Sequence, residues 1–280
     1  MEIKGKTCLI TGATSGIGMQ TAIALAKSGA RVVITSRDTE KGLITKNDII
    51  RITGNTDVEM MECDLASFSS IRSFANSFKS KYPHLHILIN NAGTWQTKRT
   101  LSADGIELTL ATNLLAPFLL TNLLLEHIKQ SAPARIINVA SHAHKWAKLD
   151  FDNLEGDKVF KNMQIYGQSK IALILFSVKL AEMLKDTGVT VNSLHPGVVA
   201  THLFDNMGRV VKSISKIFLI SPEKGAATSV YLATSPEVSQ ISGEYFAGKK
   251  IVKATAAATD NSNAEFLWQK CLAYTEKFLH

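Results

Sequence analysis

TCLITGATSGIG, residues 7–18, is the stretch on which the fold turns. A β-branched apolar run, TCLIT at 7–11, gives way to Gly12, Gly16 and Gly18, and a helical apolar pattern then runs over 15–28. A short strand feeding a helix through a glycine turn is how a βαβ unit begins. Glycines let the backbone turn tightly and approach a pyrophosphate closely, and the helix N-terminus adds free N–H groups and positive potential. Gly12, Ser15, Gly16, Ile17 and Gly18 are therefore the candidate phosphate-binding residues. The spacing is G-x-x-x-G-x-G, not the better-known G-x-G-x-x-G, and a mere tight turn is the alternative reading. No G-K-[ST] ends the loop and no G-x-S-x-G occurs, so Walker-type nucleotide chemistry and serine acyl transfer are excluded.

The same rhythm continues along the chain. Strand patterns recur at RVVITS (31–36), VEMMEC (58–63), HILIN (86–90), RIINVA (135–140), VTVNSLH (189–195) and EYFAG (244–248). Helical patterns lie between and after them, near 39–53, 67–81, 104–130, 164–186, 222–234 and 263–278. Unbroken apolar strands alternating with helices predict an α/β fold, a parallel sheet covered on both faces in three layers. With no repeat, linker or low-complexity segment, residues 1–280 read as a single domain. Two stretches break the rhythm, 142–163 and about 202–220, and irregular inserts of that length in a compact domain are usually functional.

Composition narrows the class. Of 280 residues, 45% are hydrophobic and 20% charged, as in soluble globular enzymes. The net charge of +7 is spread over scattered pairs such as Lys4 and Lys6, Lys79 and Lys81, and Lys249 and Lys250. That spread reads as a solvated surface and not as a nucleic-acid groove, so no nucleic-acid partner is expected. Cys8, Cys63 and Cys271 show neither pairing nor metal spacing and point to a reducing compartment, the cytoplasm. The N-terminus runs straight into a strand, without a signal-like or membrane-spanning stretch. The apolar segment Asn113–Lys129 carries Pro117 and Asn122 and reads as interrupted helices buried in protein.

The end of the second strand reports on the cofactor. A carboxylate there would hold a free ribose 2′-hydroxyl. This strand instead ends at Ser36 and Arg37, and a guanidinium fork suits a 2′-phosphate, which points to NADP(H). Local pairing of Arg37 with Asp38 or Glu40 is the competing reading. Asp64, followed by Leu65, stands beyond the third strand, where it could accept a hydrogen bond from an adenine amine or start the next helix.

In order, the chain then carries NNAG at 90–93, Y-x-x-x-K from Tyr166 to Lys170, and Pro196-Gly197. In that order the sequence resembles the short-chain dehydrogenase/reductase family from Thr7 to about Gly248. It is most similar to the retinol dehydrogenase-like branch, through NLLAPFLLT, APARIINVASHAH, YGQSK and HPGVV. The resemblance implies a Rossmann-type, doubly wound sheet and a set of roles. Tyr166 would donate a proton to a carbonyl oxygen, or remove it in the reverse direction. A free phenol titrates near 10, and the ammonium of Lys170, together with the positive nicotinamide of the oxidised complex, would lower that value. Ser141 would hold the substrate oxygen, and Asn113 would keep a water and proton relay on Lys170. Asn91, Ala92 and Gly93 would meet the adenosine half through backbone contacts, and Asn90 would brace adjacent strands. Pro196, Gly197, Val199 and Thr201 would surround the nicotinamide, with Tyr166 and Lys170 reaching its ribose.

The chain departs from the family in places. Ser141 and Tyr166 stand 25 apart, where about a dozen residues is usual, a longer spacing that the retinol dehydrogenase-like branch shares. Trp146, Leu149 and Phe151 of that insert are candidate pocket walls, with packing of the loop as the alternative. Residues 202–220 read as a substrate lid, with a membrane-surface helix or an ordinary covered helix as the other options. Many close relatives carry an N-terminal membrane anchor that is not evident here, and Ala140 replaces a common serine. His142 and His144 lack a third ligand with metal spacing, and no metal is expected. The expected activity is NADP(H)-dependent interconversion of an apolar alcohol with its aldehyde or ketone, with retinal, prenyl or fatty aldehydes, or steroids as substrates. A C=C reductase of a pigment and a non-catalytic nucleotide-binding regulator are the alternatives. A homodimer or tetramer through helices such as 104–130 and 164–186 is implied by the resemblance alone.

Overall fold

The computed structural model describes residues 2–198 and 220–279. Val199 and Thr201, and the segment 202–220 apart from Ile220, lie outside the described residues. Strands β1 (Thr7–Ile10), β2 (Arg31–Ser36), β3 (Val58–Glu62), β4 (Ile87–Asn90), β5 (Ala134–Val139), β6 (Val189–His195), β7 (Tyr245–Ala247) and β8 (Lys250–Ile251) form one sheet. Their order is β3-β2-β1-β4-β5-β6-β7-β8, parallel throughout except for the antiparallel β7–β8 pair. The order reverses direction between β1 and β4, which opens a crevice at the carboxyl ends of those strands.

Why the strands read as unbroken apolar runs is visible in the two cores. Leu9, Val33, Leu88, Ile136 and Val191 face one side, while Cys8, Ile10, Val32, Ile34, Ile87 and Ile89 face the other. Alternate residues thus serve opposite layers, so a polar residue on a central strand is costly unless it is partnered. A fully buried side chain of this size contributes about 1.5–3 kcal/mol.

Helices α1 (Gly16–Lys27), α2 (Thr39–Thr53) and α6 (Pro222–Thr234) cover one face. Helices α3 (Phe68–Lys81), α4 (Leu108–Lys129), α5 (Asn162–Met183) and α8 (Asn261–Leu279) cover the other, with the short α7 (Ala256–Thr259) beside them. The strands and helices expected from the sequence are all present, and β8, α7 and two 3-10 turns are added to them.

The segment expected to break at Pro117 is instead one helix. Residues Ala111–Leu115 form a π turn, and Pro117 stands in the first turn of the α-helical part that follows, Ala116–Lys129. A widened turn absorbs the missing proline N–H without ending the helix. By length and composition α4 could cross a membrane, yet 72% of its apolar window is buried inside this fold.

Helix α8 lies across α4 and α5. Trp268 packs against Phe118 at 4.9 Å and Phe176 at 6.0 Å between ring centroids. On that side the chain's own C-terminal helix covers the two helices through which a dimer or tetramer was expected.

Two buried histidines make the fold acid-sensitive. Nδ1 of His86 accepts the Thr7 N–H at 3.2 Å, and Nδ1 of His195 accepts the His142 N–H at 3.3 Å. Both rings must stay neutral to accept. Burial, helped by neighbouring basic groups, pushes His86 down to about 4 and His195 to about 3. Their folded values lie below the unfolded one, so the stability they confer is complete above about pH 6.5 and is lost as pH falls towards 4 and then 3. We expect unfolding free energy, from urea melts, to drop between pH 7 and 5 by up to about 1 kcal/mol per pH unit per histidine. A flat profile over that range would rule out this account.

Candidate active site

The glycine loop and the NNAG loop meet at the carboxyl ends of β1 and β4. Gly12 has φ +63°, and a Cβ on it would stand 2.7 Å from the Cα of Ala92, so only glycine lets the two loops touch. The side chain of Asn91 donates to the carbonyls of Thr11 at 2.9 Å and Gly12 at 3.0 Å. Thr11 Oγ1 in turn accepts the backbone N–H groups of Asn91 and Ala92. The side chain of Asn91 therefore braces the glycine loop, a role beside the backbone contacts expected of it.

These loops line a cleft of about 570 Å³. Gly12, Ser15, Gly16, Ile17 and Gly18 form one wall, with Asn91, Ala92 and Gly93 beside them. Ser36, Arg37, Asp64 and Leu65 close one end, and Tyr166, Lys170 and Pro196 stand at the other. Gly197 follows Pro196 with φ +95° and packs against Ile220 outside the cleft lining.

At the β2 end, Asp38 caps α2 by accepting the Lys41 N–H at 3.0 Å, and Ser36 Oγ donates to the Asp38 carbonyl at 2.6 Å. No ion pair joins Arg37 to Asp38 or Glu40 among the described residues. Arg37 makes no hydrogen bond or ion pair among the described residues, and Lys41, one turn into α2, lines the same end of the cleft. Sequence reasoning missed Lys41, although a basic residue four places after Arg37 was its signal. Asp64 Oδ1 accepts the Ala66 N–H at 3.0 Å, while Ser67, not Asp64, caps α3.

At the other end, Ser141 follows β5 and opens the 3-10 turn His142–Lys145. Its hydroxyl accepts the Ala143 N–H at 3.2 Å and stands close enough to the Tyr166 phenol to lower its pKa. The turn sits directly on the first turns of α5, because a Cβ on Gly167 would stand 2.8 Å from the Ala143 carbonyl oxygen and would also strike Ala147. Lys170, 3% exposed, donates from Nζ to the Val139 carbonyl at 3.0 Å and lies 5.8 Å from the centre of the Tyr166 ring.

The electrostatics of the chain alone differ from the expectation that Lys170 lowers the phenol. Burial pushes Tyr166 up to about 12, partly offset by the Ser141 hydroxyl. Burial also lowers Lys170, to about 8. The reason is geometric: the ammonium is committed to a strand carbonyl and lies over the ring, while desolvation acts on both groups.

Asn113 sits in the π turn of α4, fully buried. Its Oδ1 accepts the Thr94 N–H at 2.7 Å, and its Nδ2 donates to the Thr94 carbonyl and to Ser169 Oγ, both at 3.0 Å. The side chain is saturated by these bonds and clamps Thr94, with no direct bond to Lys170. Its Oδ1 and Lys170 Nζ do converge on Gly93, each 3.4 Å from where a Cβ would stand.

Trp95, next to the clamped Thr94, lines the cleft with its ring 6.4 Å from that of Tyr166. Trp95, Gln96, Leu108 and Thr112 are lining residues that the sequence reading did not single out. Trp95 and Gln96 directly follow NNAGT, which was the available signal. The insert residues offered as pocket walls lie elsewhere. Trp146 is 72% exposed, Leu149 packs on the core, and Phe151 stacks edge-on against Phe266 of α8 at 4.7 Å.

The family model for short chain dehydrogenases matches residues 6–210. The chain belongs to the short-chain dehydrogenase family. Among its relatives, human retinol dehydrogenase 11 is 40% identical over 270 residues, covering 96% of this chain and 85% of the relative. Human retinol dehydrogenase 13 is 41% identical over 275 residues, 95% and 83% of the two chains. An uncharacterised protein of Mycobacterium paratuberculosis superposes with a TM-score of 0.79 at 29% identity, over 98% of this chain and 95% of that one. RhlG of Pseudomonas aeruginosa, solved in an active-site complex with NADP, superposes at 0.70 with 27% identity over 88% and 95%. This short-chain dehydrogenase is thus an oxidoreductase related to the retinol dehydrogenases, with the three-layer α/β fold of its family.

Proposed function

We propose that this short-chain dehydrogenase is an NADP(H)-dependent carbonyl reductase and alcohol dehydrogenase for apolar substrates, with Asn113, Ser141, Tyr166 and Lys170 as its catalytic set. The observation that carries the reading is Tyr166 beside buried Lys170, with Ser141 next to the phenol, at one end of a cleft whose other end holds Arg37 and Lys41. The cleft suits the dinucleotide: the Gly12–Ala92 approach makes a cradle that a Cβ would fill, and the Arg37 guanidinium suits a 2′-phosphate.

When bound, the nicotinamide supplies the hydride to the carbonyl carbon or takes it back. Ser141 holds the substrate oxygen against the Tyr166 hydroxyl. With its value near 12, Tyr166 is protonated at neutral pH and is set to give its proton to the carbonyl oxygen. Lys170, near 8, stays charged at neutral pH and offers donors to a ribose hydroxyl. Asn113 keeps the Thr94–Trp95 step rigid, so that the Trp95 face bounds the apolar side of the site. The names of the relatives, together with this apolar wall, favour a retinoid or similarly elongated aldehyde over a sugar. Three buried, unpaired cysteines support a reducing compartment such as the cytoplasm.

The test is NADPH oxidation against all-trans-retinal, farnesal, long-chain aldehydes and steroid ketones, with NADH in parallel. Turnover of an apolar aldehyde, faster with NADPH, is expected. NADPH binding without turnover of any member would replace the reading with the non-catalytic regulator.

A further inference from the structure

A buried polar row crosses the sheet directly beneath the catalytic residues. Asn90 on β4, Asn138 on β5, Ser193 on β6 and Tyr245 on β7 are successive register partners, and all four are at most 3% exposed. The first three stand two residues beyond Leu88, Ile136 and Val191 of the α4–α5–α8 core, and Tyr245 itself belongs to that core, so the row points into that same layer.

Its first half is bonded side chain to side chain, with Asn90 Oδ1 left without a partner among the described residues. Asn90 Nδ2 donates to Asn138 Oδ1 at 2.8 Å and to Thr121 Oγ1 at 3.2 Å, and Asn138 Nδ2 donates to Ser177 Oγ at 2.9 Å. Its second half is not: Ser193 Oγ and the Tyr245 hydroxyl have no hydrogen-bond partner among the described residues. The Tyr245 ring meets the edge of His144 at 4.9 Å, and His144, fully buried, also has an unpartnered atom, Nε2. Buried polar atoms are seldom left unpaired, so three together on touching or register-paired residues mark a polar pocket with a purpose.

The other nitrogen of His144 identifies that purpose. Its Nδ1 lies 2.7 Å from the carbonyl oxygen of Ser141. A carbonyl only accepts, so Nδ1 carries the proton and Nε2 presents a bare lone pair. Nε2 and the Tyr245 hydroxyl have no direct bond among the described residues, but their rings touch, and one bridging water shared with Ser193 can carry a hydrogen bond between them.

We propose that His144 is a positioning residue for Ser141, held in its Nδ1–H tautomer by the Tyr245 hydroxyl. The proposal rests on the reductase reading above. His144 grips the Ser141 carbonyl and thereby fixes the backbone that aims the Ser141 hydroxyl at Tyr166. Tyr245 and Ser193 make the grip one-sided by giving Nε2 a donor. The Y-x-x-x-K helix and the Ser141 turn are thus locked to the sheet through a residue of the insert, which gives the long Ser141–Tyr166 spacing a use.

Two measurements test this. The first needs no turnover: ¹⁵N NMR of the histidine side chains, with His144 assigned by loss of its signals in His144→Phe. A neutral Nδ1–H form is expected, shifting towards the Nε2–H form in Tyr245→Phe. An Nε2–H form in the wild type, or no change in Tyr245→Phe, overturns the proposal whatever the activity. The second is steady-state kinetics on whichever aldehyde the wild type reduces. His144→Phe keeps the ring volume and should lower kcat about tenfold to a hundredfold, with KM for NADPH within about twofold, because a small misplacement at the reacting centre is costly. His144→Asn, whose amide can donate to the same carbonyl, should recover part of the loss and covers the case in which the phenylalanine variant fails to fold. Unchanged kcat in His144→Phe, or no recovery in His144→Asn, overturns the proposal. Absence of wild-type turnover refutes the reductase reading alone and leaves the NMR result to decide the tautomer.

Discussion

Tyr166→Phe is expected to lower kcat by about 10²–10⁴-fold, the range that a positioned general acid contributes. The ring is kept, so its packing against Trp95 and beneath Lys170 survives, and only the hydroxyl beside Ser141 is removed. NADPH affinity, read by fluorescence titration, should change little. The thermal midpoint should also hold, since the phenol hydroxyl does not tie the frame together through a hydrogen bond among the described residues. Because burial keeps the phenol near 12, the wild-type reduction should not lose its proton donor at any pH up to about 11. Lys170 sets an earlier limit: its charge is present below about 8 and lost above it, so kcat/KM for NADPH should fall as pH rises through that value. A phenylalanine variant retaining more than a tenth of the rate would remove Tyr166 from the proton step.

Arg37→Ala should separate the two nicotinamide cofactors. A charge-assisted bidentate contact contributes about 1.5–3 kcal/mol, so KM for NADPH should rise about tenfold to a hundredfold while KM for NADH stays nearly constant. The expectation rests on the local bonding at the end of β2. Asp38 is occupied by the Lys41 N–H, and Ser36 shapes the turn, so no carboxylate competes for the guanidinium. Lys41 lines the same end of the cleft and should keep some NADPH preference in the variant. Equal losses for both cofactors would show that Arg37 supports the loop and does not read the ribose.

Much of the site was legible because its parts are local in sequence. The glycine loop, NNAG and Y-x-x-x-K are each a few residues long, and each carries its chemistry within one turn or one loop. Asn91, Asn113 and Lys170 were legible as important but not in what they touch. Asn91 bonds Thr11 and Gly12, some 80 positions away, and Asn113 bonds Thr94 and Ser169 across 19 and 56 positions. Trp146, Leu149 and Phe151 stayed open between pocket wall and loop packing because an apolar residue looks alike whether it faces a ligand or another helix.

By itself the sequence determined the alternation of strands and helices, the parallel sheet, the phosphate loop and the order of the catalytic motifs. Periodicity and glycine placement are local properties of the chain, and the elements they dictate appear where they were expected. Only the tertiary structure decided that a proline-containing helix continues through a π turn, that α8 covers α4 and α5, and that burial raises the tyrosine. It alone placed Asn90, Asn138, Ser193 and Tyr245 in one row, ending at His144. Those facts depend on which distant segments share a dielectric and a hydrogen bond, and such partnerships exist only once the sheet has brought the segments together.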